Sequence, residues 1–141
     1  MFFEGAPRIQ RSGATIPGLQ DGDPNRVVIE AYPGLLARTL IGRHSYKSDT
    51  RSKQTAGQLA RRQQILRYLT SDQVNSAQHQ VRVTAPQELA EDPSGDALDA
   101  LLCAVQASWS WQMRHANYGL PSDYDELEGW IIDPRTQDSC V

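Results

Sequence analysis

The stretch "DPSGDALDALLCAVQASW", residues 92–109, decides the fold because it carries the longest helical pattern of the chain and two unexpected charges. Its apolar residues recur at helical spacing and indicate a face that packs into a core: Ala97, Leu98, Leu101, Leu102 and Val105. We predict a long helix from about Gly95 to Asn117, ended by Gly119 and Pro121.

Asp96 and Asp99 lie in the first turn of this predicted helix. Residues three apart project to the same side of a helix. Acids at a helix N-terminus are favourable by about 0.3–1 kcal/mol each when exposed. For a helix considered by itself, that ordinary role is favoured, and a functional role requires a third acid.

A third acid stands in "RVVIEA", residues 26–31, whose apolar β-branched run predicts a strand buried on both faces. Glu30 is near its end, where ligands bind in open α/β sheets. Converging carboxylates repel one another unless a hard divalent cation neutralises them. We therefore predict Glu30, Asp96 and Asp99 as catalytic residues and as ligands of Mg²⁺ or Mn²⁺.

The rest of the chain alternates helix and strand signals, which indicates an α/β layer architecture. The predicted elements are a loop over residues 1–25, a helix from Pro33 to Gly42, a helix from about Thr55 to Leu69, a turn from Pro86 to Ala90, and a short strand or turn at 129–132. Residues 71–84 are ambiguous, with "QVRVT" as a strand candidate. Only one core strand is convincing, so either strands are missed or part of the fold is absent.

Charge is distributed unevenly along the chain, although the net charge is only -3. Basic residues dominate residues 38–67, and acids dominate residues 85–133. The two blocks either pair internally or form a phosphate-binding surface beside a metal site. We predict Lys47, Arg51 and Lys53 as substrate-binding residues that contact phosphates; a solvated basic loop explains them equally well.

The bulk composition describes one domain over residues 1–141. No apolar run approaches the ~20 residues that span a bilayer, and the first ten residues do not have the pattern of a signal peptide. Two cysteines are too few for a disulfide framework. We therefore expect a cytoplasmic protein that does not bind membranes.

Several blocks in order carry a family resemblance: "VVIEAYPG" (27–34), "SYKSD" (45–49), "DPSGDALDALLCAVQA" (92–107) and "LEGWI" (127–131). They resemble a family of predicted nucleases with an RNase H-like fold that carries a domain-of-unknown-function label. The acid placement is similar to that of RuvC-type Holliday junction resolvases. The resemblance implies a mixed sheet with flanking helices and a long C-terminal helix, with Glu30, Asp96 and Asp99 as its acids.

The chain departs from that pattern before Glu30, where no strand carries the first acid of the family. The resemblance therefore implies a partial RNase H-like fold without its N-terminal strands. We expect a metal-dependent nuclease-family protein that acts on nucleic acid, is weakly active or inactive alone, and forms a homo-oligomer or binds a partner chain supplying the missing strands. The alternative is a non-catalytic interaction module that associates with itself or a partner.

Overall fold

The computed structural model describes residues 2–71, 81–125 and 129–132. Its regular elements are the α-helices α1 (Phe2–Arg11), α2 (Pro33–Ile41), α3 (Ala56–Leu69) and α4 (Asp96–Gln112) and the strands β1 (Ala14–Thr15) and β2 (Asp23–Val27). Short 3₁₀ helices occupy Arg51–Lys53, Gln87–Ala90 and Met113–Gly119. The chain is therefore a mixed α/β protein in which helices predominate.

The long predicted helix is present, but its regular part ends five residues early. α4 stops at Gln112 and a 3₁₀ helix continues to Gly119. Asn117 and Tyr118 have φ angles of 49° and 57°, which no α-helix contains. A side chain at Gly119 would meet the ring of the buried Trp109 at 2.5 Å, so glycine is required where the chain turns back.

The core lies where α4 packs on α2, with α3 beside them. Its buried side chains come from these helices and the loop after α2: Leu36, Ala37, Ile41, Tyr46, Ile65, Leu69, Leu98, Leu102 and Val105. α2 begins at Pro33 and is followed by Gly42, as the sequence predicts. α3 begins after Thr55, which forms a reciprocal capping box with Gln58.

The sheet is smaller than expected, and its main strand is displaced along the sequence. β2 pairs with β1 in parallel and ends at Val27, whereas the prediction placed a strand at residues 26–31. Beyond it, Glu30 forms an isolated parallel bridge with Ile131. The predicted burial on both faces is wrong, because none of residues 26–31 is buried: residues 26 and 30 are exposed, and the others are partly exposed.

Two further predictions need correction. Residues 1–25 contain α1 and β1 and are not a continuous loop. Gly5 and Pro7 weaken the helical signal there, while an exposed Glu4–Arg8 pair at 3.6 Å lies one turn apart on α1. Residues 81–84 of the candidate strand "QVRVT" have no strand structure, and its first residue lies outside the described residues.

None of the helices in the described ranges combines the length and apolar character that crossing a bilayer requires.

Truncation of Leu102 tests the position of the core. Leu102 has no exposed surface, so we expect Leu102→Ala to lower the free energy of unfolding by about 2–5 kcal/mol. Leu19, which is 61% exposed, is the matched control, and Leu19→Ala should cost less than about 0.5 kcal/mol. Urea denaturation measures both; equal costs would contradict the proposed packing.

Candidate functional site

Asp99 connects the first turn of α4 to the loop that follows α2. Its Oδ1 accepts a hydrogen bond of 2.5 Å from the Tyr46 hydroxyl, and its Oδ2 lies 2.5 Å from the Lys47 Nζ. Both carboxylate oxygens therefore have a donor from the same loop. The sequence predicted that Asp99 would at least stabilise the N-terminus of α4. In the structure, its carboxylate connects α4 to the loop that follows α2.

The surroundings favour a neutral phenol and a charged ammonium at this contact. Burial raises the pKa of Tyr46 far above its usual 10.0, and the hydrogen bond to Asp99 adds to this effect. The hydrogen bond to Asp99 also raises the pKa of Lys47 above its usual 10.5, although partial burial opposes it. The negative charges of Asp49 and Asp96 support the Lys47 ammonium as well.

A buried arginine, Arg62, fixes the position of the loop that follows α2. Arg62 on α3 is 3% exposed, and its guanidinium donates to the carbonyl of Tyr46 at 2.8 Å and to that of Ala90 at 2.7 Å. The 46–47 segment is thereby tied to the turn that precedes α4. Arg62 thus positions Tyr46, whose hydroxyl in turn reaches Asp99.

The loop is also fixed on either side of Lys47. The Gln58 amide, besides capping α3, donates to the Lys47 carbonyl at 3.0 Å. The backbone N–H of Ser48 donates to the Pro93 carbonyl at 3.3 Å. These bonds place the start of the Lys47 side chain beside the start of α4.

Asp92 stabilises the turn that starts α4. Its carboxylate accepts hydrogen bonds from the N–H and hydroxyl of Ser94, at 2.9 and 2.7 Å, and from the N–H of Ala97 at 3.4 Å. These bonds, those from Ser94 first, lower the pKa of Asp92. Gly95, at the N-cap, has no side chain to supply a cap. Asp92 therefore takes the capping role, and the carboxylate of Asp99 bonds to the neighbouring loop.

Asp99 lies in the wall of a cavity of about 610 Å³ between α2, the loop after it and α4. The lining residues include three cations and one histidine: Arg38, Arg43, Lys47 and His44. Tyr32, which is 46% exposed, stands at its edge near Gly34. Asp99 is the one acidic side chain among the described lining residues, so the cavity is suited to an anion.

The structure brings together two of the three predicted acids. Asp96 is exposed and close enough for its charge to act on Lys47. Glu30 is also exposed but lines other cavities, beside Gly129 and Trp130. Over the described ranges, no three His, Cys, Asp or Glu side chains form a group suited to a metal ion. The Mg²⁺ or Mn²⁺ site held by all three carboxylates therefore stays a prediction.

The three predicted substrate-binding residues do not all lie at the same site. Lys47 lines the cavity, whereas Arg51 and Lys53 are exposed on a 3₁₀ helix and are not among the residues that line it.

Sequence reasoning missed the cavity's other basic side chains. Arg38 lies in the last turn of α2 and Arg43 follows Gly42, so the chain brings both to one cavity where the helix ends. The basic block at residues 38–67 contained this signal, but spacing alone did not select these two positions. No pattern in the sequence indicated that Arg62 is buried.

Comparison with known proteins finds a family match that covers most of the chain. A family model described as "Protein of unknown function (DUF429)" matches residues 3–122. The matched range includes all the described residues that line the Asp99 cavity, together with Glu30 and Asp96. Neither a curated protein nor a solved structure matches the chain.

Removal of the Arg62 guanidinium tests how the loop is positioned. Arg62→Met keeps the aliphatic stem but leaves two carbonyls without their donor, so we expect a loss of about 2–4 kcal/mol in the free energy of unfolding. Arg61→Met is the matched control, because among the described residues Arg61 donates to the nearby Gln64 side chain on the same helix, and it should cost less than about 1 kcal/mol. Urea denaturation would contradict the assignment if both variants lost the same stability.

Proposed function

The chain belongs to the DUF429 family of proteins of unknown function, and on that premise we propose that it binds the phosphates of nucleic acid in the cavity beside Asp99. The observation that carries the proposal is the convergence of Arg38, Arg43 and Lys47 on one cavity. Lysine and arginine are the usual protein donors to a phosphate backbone.

The size and chemistry of the cavity support a ligand of nucleotide dimensions. Its volume of about 610 Å³ lies within the roughly 300–1,000 Å³ of typical ligand sites. Arg38 and Arg43 are exposed, so their guanidinium groups are accessible to phosphate oxygens. Tyr32 at the edge offers an aromatic face of the kind on which a base stacks.

Within this proposal, the chain is an RNase H-like nuclease-family domain with little or no phosphodiester hydrolysis by itself. The family resemblance and the mixed α/β architecture support the nuclease relationship. The expectation of weak activity has a geometric reason. Glu30 lies outside the cavity, and both oxygens of Asp99 already accept protein donors, so no step of the proposal runs through a metal ion.

The alternative of a non-catalytic interaction module has less support. Exposed large apolar side chains occur on separate elements, such as Ile9 on α1, Tyr68 on α3 and Trp111 on α4. Single exposed apolar residues are normal on protein surfaces. Self-association therefore stays a prediction, which concentration-dependent sedimentation tests.

Charge reversal at the cavity tests nucleic-acid binding. We expect Arg43→Glu to weaken binding of a fluorescent single-stranded oligonucleotide about tenfold, because it places a negative charge where a phosphate would bind. Arg67→Glu makes the same change in net charge on an exposed part of α3 and is the matched control. Fluorescence anisotropy at several salt concentrations measures both.

Because Asp99 offsets the charge of Lys47, Arg38 and Arg43 are the cations that neutralise phosphates, and the logarithm of the binding constant should fall against the logarithm of salt concentration with a slope of about -1.4 for a single strand. Equal affinity of the two variants, or binding that does not depend on salt, would contradict the proposal.

Hydrolysis is tested separately. We expect the chain to leave labelled single- and double-stranded DNA and RNA intact in the presence of Mn²⁺, because Glu30 is not among the residues that line the Asp99 cavity and both oxygens of Asp99 already accept protein donors. Gel electrophoresis after prolonged incubation measures this. Cleavage by the unmodified chain that is absent in Asp99→Asn would show that the acids assemble into an active site after all.

A further inference from the structure

We propose that the Lys47 ammonium, and not a divalent cation, is the resident counter-ion of Asp99. The ammonium lies 2.5 Å from Oδ2, and the Tyr46 hydroxyl donates to Oδ1. A metal ion that bound this carboxylate would have to displace at least one of these donors. Lys47 therefore determines which cations the site accepts.

The start of α4 is shaped to hold the lysine stem. A Cβ built at Gly95 would lie 2.9 Å from both Cβ and Cδ of Lys47, closer than packing permits. Gly95 also has a φ of +75°, in the left-handed region that side chains disfavour. The glycine thus allows the Lys47 chain to pass across the beginning of the helix and reach Asp99.

The backbone around Lys47 is also held by hydrogen bonds. Arg62 and Gln58 donate to the carbonyls of residues 46 and 47, and the N–H of Ser48 donates to Pro93. Displacement of the ammonium would therefore leave the backbone in place, with the ammonium still tethered near the carboxylate. A nearby cation that cannot diffuse away repels an incoming metal ion.

Charge at the site favours the same conclusion. Asp99 and the nearby Asp96 would together attract a divalent cation, but both already act on the positive charge of Lys47, which lines the same cavity as Asp99. Mg²⁺ retains most of its water and gains little from a site where one carboxylate is already paired. The selectivity of the site does not depend on whether nucleic acid binds, so this inference is independent of the proposed function.

The response of thermal unfolding to Mn²⁺ tests the inference. We expect millimolar Mn²⁺ to leave the Tm of the wild-type chain unchanged and to raise that of Lys47→Met by roughly 2–4 °C, because the two acids then lack their cation. The gain should vanish in the double variant Lys47→Met/Asp99→Asn. Lys53→Met removes the other lysine of the chain, from an exposed 3₁₀ helix, and should behave as wild type.

A wild-type measurement keeps the test valid if Lys47→Met does not fold. Mn²⁺ is paramagnetic and broadens the resonances of nearby amides. In the wild-type chain, we expect the amides of Asp96 to Asp99 to broaden no more than those of exposed acids elsewhere, such as Glu4 on α1. Selective broadening at the start of α4 in the wild type would overturn the inference. So would a Tm increase in the wild type that Asp99→Asn abolishes, or an equal response of wild type and Lys47→Met.

Discussion

The paired oxygens of Asp99 are the contact on which the rest of the site depends. Tyr46 and Lys47 are neighbours in sequence, and their side chains reach the two oxygens of one carboxylate. That arrangement fixes the loop after α2 against the first turn of α4 and thereby forms one wall of the cavity. Since Tyr46 is also part of the apolar core, the same residue connects the stability of the domain to the shape of its site.

Arg62 extends this contact into the interior. A buried guanidinium without hydrogen-bond partners would be costly, and two backbone carbonyls satisfy it here. One of these carbonyls belongs to the loop after α2 and the other to the turn before α4. The Arg62 guanidinium therefore fixes the position of these two segments relative to each other. Irregular backbone needs such donors, since no neighbouring strand supplies them.

The cavity differs from the three-acid centre that the family resemblance implies. The described residues that line the cavity place cations around a single, paired carboxylate. Such a site is better suited to binding a phosphate group than to hydrolysing a phosphodiester. The convergent feature is therefore positive charge, contributed by the end of α2 and by the loop after it. This arrangement supports a binding role for the described part of the chain and leaves hydrolysis as the separate question that the family relationship raises.

Local patterns in the sequence determined much of the helical framework. Pro33, Gly42 and the Thr55–Gln58 capping box set the bounds of α2 and α3, because caps and breakers act on neighbouring backbone groups. α1 and the strand positions were mispredicted, since Pro7 weakens the helical signal and strand pairing depends on distant partners. The sequence also determined that Asp96 and Asp99 share one side of α4.

Only the tertiary structure decided what these acids contact. Tyr46 and Asp99 lie 53 positions apart along the chain, and no sequence pattern predicted their hydrogen bond or the burial of Arg62. Side-chain partners are set by the packing of α2, α3 and α4, whereas helical periodicity reports only which side of an element a residue occupies. That is why the sequence could place Asp99 and Lys47 in separate predicted roles, while only the fold showed that the two side chains pair.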